Sequence, residues 1–352
     1  MGSPAPGGYH IGVNKRSNIQ AKAAKRHFIV ASRGSLLALT QTGQMVRELA
    51  RRNPGTTFSI LEITTSGDRS QKTTRAFSGT GVFVKALEKA LREKRADIAV
   101  HSLKDMPTRI APGTILAAIT RREDIRDALI TRNGRALDKL PPGSRVGTAS
   151  PRRRAQLLAL RPDLIPIPLR GNLDTRLRKL RQGEDGLTAI IVAMAGLARS
   201  GNGRRATQKL PVSRFMPAAG QGSLAVQTRA GDAAAIRAAA TINHPASRAA
   251  CNAERTVLAA LGAGCQAPVG TIATITRDKI RLRATVYSLD GSRAIAGEIT
   301  GPVRGGPRLA VRLARSLLDR GAGRLVKEAR KGNPGGGRPV PGGNFHKSGQ
   351  KR

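Results

Sequence analysis

The stretch ADIAVHSLKDMPT, residues 96–108, sets the terms for the fold. Residues 98–102 read as the end of a buried strand, a short apolar run with no polar alternation. The chain then places Lys104 and Asp105 side by side and stops at Met106-Pro107. Upstream, GVFVKALEKALREKR (81–95) is amphipathic at helical spacing, with Phe83, Leu87, Ala90 and Leu91 on one face. Before it lie a strand-like TFSILEIT (57–64), a helix-like LLALTQTGQMVRELARR (36–52) and a short apolar FIVA (28–31). In the 36–52 helix, Leu36, Leu39, Gly43, Val46 and Leu49/Ala50 form the expected buried face. Strands alternating with helices imply βαβ units and a mostly parallel sheet.

The pattern then repeats without a close sequence repeat. DALIT (127–131) and SRVGTA (144–149) are strand-like, SPRRRAQLLAL is a helix and LIPIPLRG is extended. NLDTRLRKLRQG is a helix with Gly183 as its C-cap. TAIIVAMAGL (188–197) begins as a buried strand, and GSLAVQTRA (222–230) is another. After about residue 242 the grammar changes. HPASRAACNAERTVLAALGAG reads as one helix, followed by three segments alternating like a small antiparallel sheet with a turn at Asp290-Gly291. RLAVRLARSLLDRGAGRLVKEAR reads as one closing helix. The expected fold class is therefore α/β, two α/β units plus a small α+β C-terminal unit.

The net charge is +40, of which +5 and +6 lie in residues 1–27 and 327–352. A body this basic expects anionic partners, although part of the charge reads equally as a solvated arginine-rich surface. Only 2% of residues are aromatic and none is Trp, which argues against a base-stacking surface. No run approaches the roughly 18 apolar residues of a membrane span. The basic, Gly/Pro-containing N-terminus and the Gly-rich segment from Gly332 read as disordered tails. Two cysteines, Cys251 and Cys265, form no metal-ligand or disulfide framework, and no metal site is expected. The chain reads as cytoplasmic.

Two helix starts share a design. Arg33-Gly34-Ser35 follows a strand, with Ser35 placed to N-cap the helix from Leu36. Ser150-Pro151 follows another, with Ser150 as N-cap and Pro151 as first helical residue. Arg152, Arg153 and Arg154 come next, and cations in a first turn oppose the helix dipole by about 1 kcal/mol in all. An anion would offset that. The reading is a carboxylate or phosphate site built from N–H groups, hydroxyls and guanidiniums, against an ordinary capped helix with solvated arginines. Arg170 and Arg176 flank Gly171-Asn172 and favour the first. Open α/β sheets bind ligands at the carboxyl ends of their strands, where these residues fall. Lys104-Asp105 also lies at such an end. Spacing alone favours a structural ion pair there, while an arginine-lined surround would keep Asp105 charged and able to stabilise a developing cation. His101 reads as a satisfied core histidine, Cys251 as packing, and Cys265, in GAGCQAPVG, as a possible covalent anchor.

Taken in order, ASRGSLLALTQ (31–41), ADIAVHSLKDMPT (96–108), REDIRDALI (122–130), VGTASPRRRAQL (146–157), LRGNLDTRLRKL (169–180), IIVAMAGLAR (190–199), PAAGQGSLAVQ (217–227) and GCQAPVG (264–270) resemble the porphobilinogen deaminase (hydroxymethylbilane synthase) family. The resemblance covers roughly residues 28–330. It implies two domains like those of periplasmic binding proteins and a small α+β third domain. These map to 28–121 with 221–242, 122–220, and 243–331, with tails at 1–27 and 332–352. It implies a transferase of porphyrin, tetrapyrrole and heme biosynthesis that joins four porphobilinogen units head to tail, releasing ammonia at each step. The chain grows on a dipyrromethane cofactor held by a thioether to Cys265. Asp105 would be the catalytic residue, with Lys104, Ser150, Arg152, Arg153 and Arg170 also touching the cofactor. Arg33, Ser35, Arg176, Arg199 and Phe83 would contact porphobilinogen and the growing oligopyrrole, with Arg122 a further contributor. The family implies a monomer that engages no specific nucleic acid and no membrane. One departure stands out: Thr80 occupies a position where the family often has a lysine, within a segment that forms its mobile loop. A non-catalytic binding protein and a nucleic-acid binder are the competing readings. The GCQAPVG segment opposes the first, and the lack of any nucleic-acid motif opposes the second.

Overall fold

The computed structural model describes residues 26–63, 80–264 and 266–331. The first sheet has the order β2 (Thr56–Ile63), β1 (Arg26–Arg33), β3 (Ile98–Ser102), β10 (Leu224–Arg229), β4 (Thr114–Ile119). Strands β2, β1 and β3 are parallel, and β10 runs antiparallel to both β3 and β4. The second sheet repeats this grammar as β7 (Ile165–Ile167), β6 (Arg145–Gly147), β8 (Leu187–Ala193), β5 (Asp127–Thr131), β9 (Gln208–Leu210). Again three neighbours are parallel and the fourth, β5, is reversed. The third sheet is antiparallel, β11 (Val269–Thr276), β12 (Lys279–Tyr287) and β13 (Ala294–Pro302). The expected α/β class with a small α+β third unit is what the chain adopts.

The apolar run of β3 is continuous because both faces of its sheet are covered. Val30, Ile98, Val100 and Val226 pack against α1 (Leu36–Arg52) and α6 (Ala233–Ala240). Ala31, Ala99 and Ile63 pack on the other side against Leu87, Ala90 and Leu91 of α2 (Thr80–Arg92). The second sheet carries α3 (Pro151–Leu160), α4 (Leu173–Gln182) and α5 (Met194–Arg199). In the third unit α7 (Pro245–Ala260) and α8 (Gly306–Asp319) pack on one face of the sheet through Val257, Leu282, Ala284, Leu313 and Leu317.

Three expectations change. The strand β1 begins at Arg26, so Arg26 and His27 belong to the sheet, where His27 Nδ1 and Thr57 Oγ1 lie 2.8 Å apart. The rest of the two supposed tails lies outside the described residues. In α1, Leu36 is 61% exposed and Ala50 is exposed too. The buried positions are Gln41, Thr42 and Leu49, and Thr42 donates to Ser32 Oγ at 2.8 Å. Leu36 follows the cap at the open end of the sheet, so the inward face starts with Leu37, which packs on the core of the second unit. The closing helix is two helices, α8 and α9 (Ala322–Lys331), because Gly321 takes a left-handed φ of 92° between them.

The chain crosses between the first two sheets twice, after β4 and before β10, and the two crossings are bonded to each other. Glu123 N donates to Gly222 O at 3.1 Å, Arg122 Nε to Gln221 O at 2.7 Å, and Gln221 Nε2 to Ile125 O at 2.7 Å. Gly220 has φ +71° and a Cβ there would meet Leu103 at 2.8 Å, so only glycine fits. Glu254 of α7, with no solvent exposure, closes this junction. It receives both arms of Arg122 at 2.6 and 2.9 Å, Gly220 N at 2.7 Å and Ala273 N at 2.8 Å. Burial alone would lower the pKa of Arg122, but the Glu254 carboxylate outweighs it and holds the group above its ordinary value. Arg122, expected to contribute to substrate carboxylates, is thus engaged inside the protein. Replacing Glu254 by Ala strands a buried guanidinium and two N–H donors. The expected loss is about 3–5 kcal/mol, read as a lowered midpoint of urea unfolding.

Candidate active site

The parallel strands of both sheets deliver their carboxyl ends to one region. From β3 the chain enters a single 3-10 turn, Leu103–Asp105, closed by Met106 N on Leu103 O at 3.1 Å. Leu103 N is anchored to Ser223 O at 3.1 Å, and Leu103 itself is fully buried. Lys104 and Asp105 are half-buried. From β1 the chain turns through Ser35, whose Oγ accepts from Ala38 N at 3.4 Å and caps α1. From β6 it turns through Ser150, whose Oγ accepts from Arg153 N at 3.4 Å and caps α3. Both expected caps form. From β7 it reaches exposed Arg170 and then α4, capped by Asn172 at 2.9 Å from Thr175 N.

The arginines of the α3 start do not point into solvent. Arg152 and Arg153 are 4% and 5% exposed, and Asp127, at the start of β5, is wholly buried between them. Arg152 Nη1 donates to Asp127 Oδ2 at 2.7 Å, and Arg153 donates through Nη2 to Oδ1 at 2.7 Å. Gln221 Nε2 donates to the same Oδ1 at 3.0 Å. The second donors of the two arginines reach Met216 O at 2.6 Å and Ile191 O at 3.1 Å. Burial raises the pKa of Asp127, but Arg152 and Arg153 overcome it and hold the carboxyl far below its ordinary range. The anion that offsets cations in this first turn is therefore partly internal. Two guanidiniums share one carboxylate and leave one net positive charge.

That charge is felt next door. Burial, reinforced by Arg153, pushes Lys104 down to about 8 against the opposing pull of Asp105 and Asp127. Burial pushes Arg176 down to about 10, with Arg153 lowering it further and Asp105 raising it. Arg176 Nε donates to Gly171 O at 2.9 Å. Asp105, Lys104, Arg153 and Arg176 thus interact electrostatically although they come from two sheets. The carboxylate of Asp105 itself has no hydrogen bond or ion pair among the described residues. Arg199 lies to one side, donating to Gly222 O at 2.6 Å, its pKa lowered by burial and raised by Glu123. Arg33 borders His101 and depresses it further after burial, which brings that imidazole to about 4. His101 is buried as expected, and an interaction with the Gln227 side chain offsets part of that fall, although its Nε2 meets no described group at full hydrogen-bond geometry. Cys265 and the side chain of Phe83 lie outside the described residues. Cys251 is fully buried with its thiol pushed up by burial to about 11, in keeping with a packing role. No group of three metal-binding side chains exists among the described residues.

Two family models account for most of this chain. The dipyromethane cofactor binding domain of porphobilinogen deaminase matches residues 28–237, and the porphobilinogen deaminase C-terminal domain matches 248–319. The chain belongs to the porphobilinogen deaminase family. Porphobilinogen deaminase of Desulforudis audaxviator is 43% identical over 88% of this chain and 99% of its own length. That of Thermobifida fusca is 43% identical over 86% of this chain and 97% of its own. Among solved structures, a YaeC-family lipoprotein of Enterococcus faecalis aligns with a TM-score of 0.37 at 13% identity, covering 68% of this chain and 98% of that one. The family cofactor is a pair of linked pyrroles bearing acidic side chains. A surplus of cations around one unpaired carboxylate fits such a group, cations for its acids and Asp105 for its N–H donors.

Sequence reasoning missed Asp127, Gln221 and Glu254, all buried and all acting on residues distant in the chain. Asp127→Asn tests the central one. The native carboxyl has a depressed pKa, so its stabilisation is present above about pH 4 and is lost as pH falls through the folded value. Wild-type stability should decline on that acid limb. Asp127→Asn should be less stable near pH 7 by about 3–5 kcal/mol and show a flatter limb in urea titrations.

Proposed function

We propose that this chain is the hydroxymethylbilane synthase of porphyrin biosynthesis, a transferase that joins four porphobilinogen molecules head to tail with loss of ammonia at each addition. The observation that carries the reading is a half-buried carboxylate, Asp105, unpaired among the described residues and set among cations where two α/β sheets meet. Bound dipyrromethane, linked by a thioether to Cys265, would supply the free pyrrole α-carbon that is extended. Asp105 accepts hydrogen bonds from pyrrole N–H groups. As the C–N bond of porphobilinogen breaks and ammonia leaves, positive charge spreads into the ring, and the Asp105 carboxylate stabilises it in a site of reduced dielectric. Ser150, Arg152, Arg153, Arg170 and Lys104 hold cofactor carboxylates. Arg33, Ser35, Arg176 and Arg199 hold those of the substrate and growing oligopyrrole, with Phe83 assigned to substrate binding by the family resemblance alone. Arg152 and Arg153 do so as a unit with Asp127, through their one uncompensated charge and the N–H groups of the α3 start.

The domains run 26–121 with 221–242, 122–220, and 243–331, a division supported by strand membership in three separate sheets. The enzyme acts as a cytoplasmic monomer without specific nucleic-acid or membrane partners. Among the described residues no helix is long and apolar enough to cross a membrane.

Denatured intact mass reads the cofactor directly. Wild type should carry the mass of two linked porphobilinogen-derived units, and Cys265→Ala should lack it; a loaded mutant would move the anchor elsewhere. Asp105→Asn should keep its fold and lower kcat by about 10²–10³ or more. Normal turnover would remove its role. Lys104, at about 8, is charged below that pH and neutral above it. Its hold on a cofactor carboxylate should therefore weaken as pH passes 8, so kcat should fall there, and Lys104→Met should lower kcat at pH 7 and flatten that fall.

A further inference from the structure

Adjacent residues of α7 reach in different directions. Glu254 holds the crossing between the sheets, as described above. Arg255, 8% exposed, reaches the segment that leaves the Asp105 turn. Its Nη1 donates to Met106 O at 3.2 Å, and its Nη2 donates to Pro107 O at 2.6 Å and Thr108 O at 3.3 Å. These carbonyls lie in irregular backbone and belong to no sheet ladder or helix. One guanidinium supplies hydrogen-bond donors to all three.

We propose that Arg255 is a positioning residue for Asp105. The proposal rests on the reading of Asp105 given under the proposed function. A single 3-10 turn closed by one hydrogen bond is a weak local structure. Among the described residues no side chain bonds the Asp105 carboxylate, so there its position follows from the backbone of 103–108. That backbone is fixed at its start by Leu103 N on Ser223 O and by the packing of Leu103 against Gly220. It is fixed at its end by Arg255. The same helix leads, ten residues on, to Cys265. The third unit therefore sets the placement of the charge that faces substrate and carries the proposed cofactor anchor. Lysine could not replace this tether in full, because a single ammonium has no planar fork to span successive carbonyls.

The test compares cofactor-loaded wild type with Arg255→Met and Arg255→Lys. Arg255→Met keeps the stem and removes every donor. It should show an unchanged intact mass and a KM within about twofold, while kcat falls by about 10- to 100-fold, as expected for a displaced reacting group. Hydrogen exchange of the amides at 103–109 should quicken by at least about tenfold, with the crossing at 217–224 protected as before. Arg255→Lys should recover part of both losses. Quickened exchange with wild-type kcat would overturn the proposal, since the tether would then be structural only. So would a change confined to KM. If Arg255→Met does not fold, Arg255→Lys decides: reduced kcat at constant KM supports the proposal, and wild-type kcat sinks it. A wild type that consumes no porphobilinogen would overturn the underlying function as well, which separates the two failures.

Discussion

Asp127 has no contact with solvent, yet it is flanked by two guanidiniums and an amide donor. Taking three charged groups out of water is tolerable only when every lone pair and N–H finds a partner. Here the spare donors of Arg152 and Arg153 end on the carbonyls of Met216 and Ile191. That network fixes the start of α3 against β5 and β8, and so fixes Ser150 and the N–H groups at its cap. It also sets the electrostatics of the site. One carboxylate between two arginines leaves a residual positive charge, and that charge helps depress Lys104 and Arg176.

The position of Asp127 follows from the topology. In each five-stranded sheet the reversed strand is the one reached by crossing from the other sheet: β5 after β4, β10 after β9. The two units are thus joined by two strands that each begin at the crossing. The crossings run side by side, bonded to each other and gripped from the third unit by Glu254. Asp127 is the first residue of β5, and Leu103 of the Asp105 turn packs against Gly220 of the returning segment. The two carboxylates that matter most, one buried and one unpaired, are both placed by this double crossing.

Much of this was legible in the sequence for physical reasons, and the rest was hidden for physical reasons. Caps are local: Ser35, Ser150 and Gly183 could be read because cap and partner lie within a few residues. The strands were legible because two-sided burial writes an apolar run. The buried face of α1 was misassigned because leucine at a helix start, beyond the edge of the sheet, has nothing to pack on. The break between α8 and α9 was missed because an arginine-leucine periodicity continues across Gly321. The fate of Arg152 and Arg153 was not legible at all. A triplet of arginines reads the same whether it faces solvent or a carboxylate 25 residues away, and only the sheet brings Asp127 to it. Arg122 was misread for the same reason, its partner Glu254 being 132 residues distant.

The state of Asp105, unpaired among the described residues, is the harder design problem. At 4 Å in an environment of effective dielectric near 20, opposite charges attract by about 4 kcal/mol, so a carboxylate among mobile arginines would be captured by one of them. The structure prevents this by tying the arginines elsewhere. Arg152 and Arg153 are held by Asp127, Arg176 by the Gly171 carbonyl, and Arg199 by the Gly222 carbonyl. Backbone carbonyls are suited to the task because they fix a guanidinium while leaving its full charge to act on a ligand. A captured Asp105 would be neutralised, and under the role proposed for it its field would then do nothing for a cation forming on a pyrrole. The tethered cations and the Asp105 carboxylate, unpaired among the described residues, are therefore one arrangement. The first keeps the second available, and on the proposed function each addition to a polyanionic chain would draw on both.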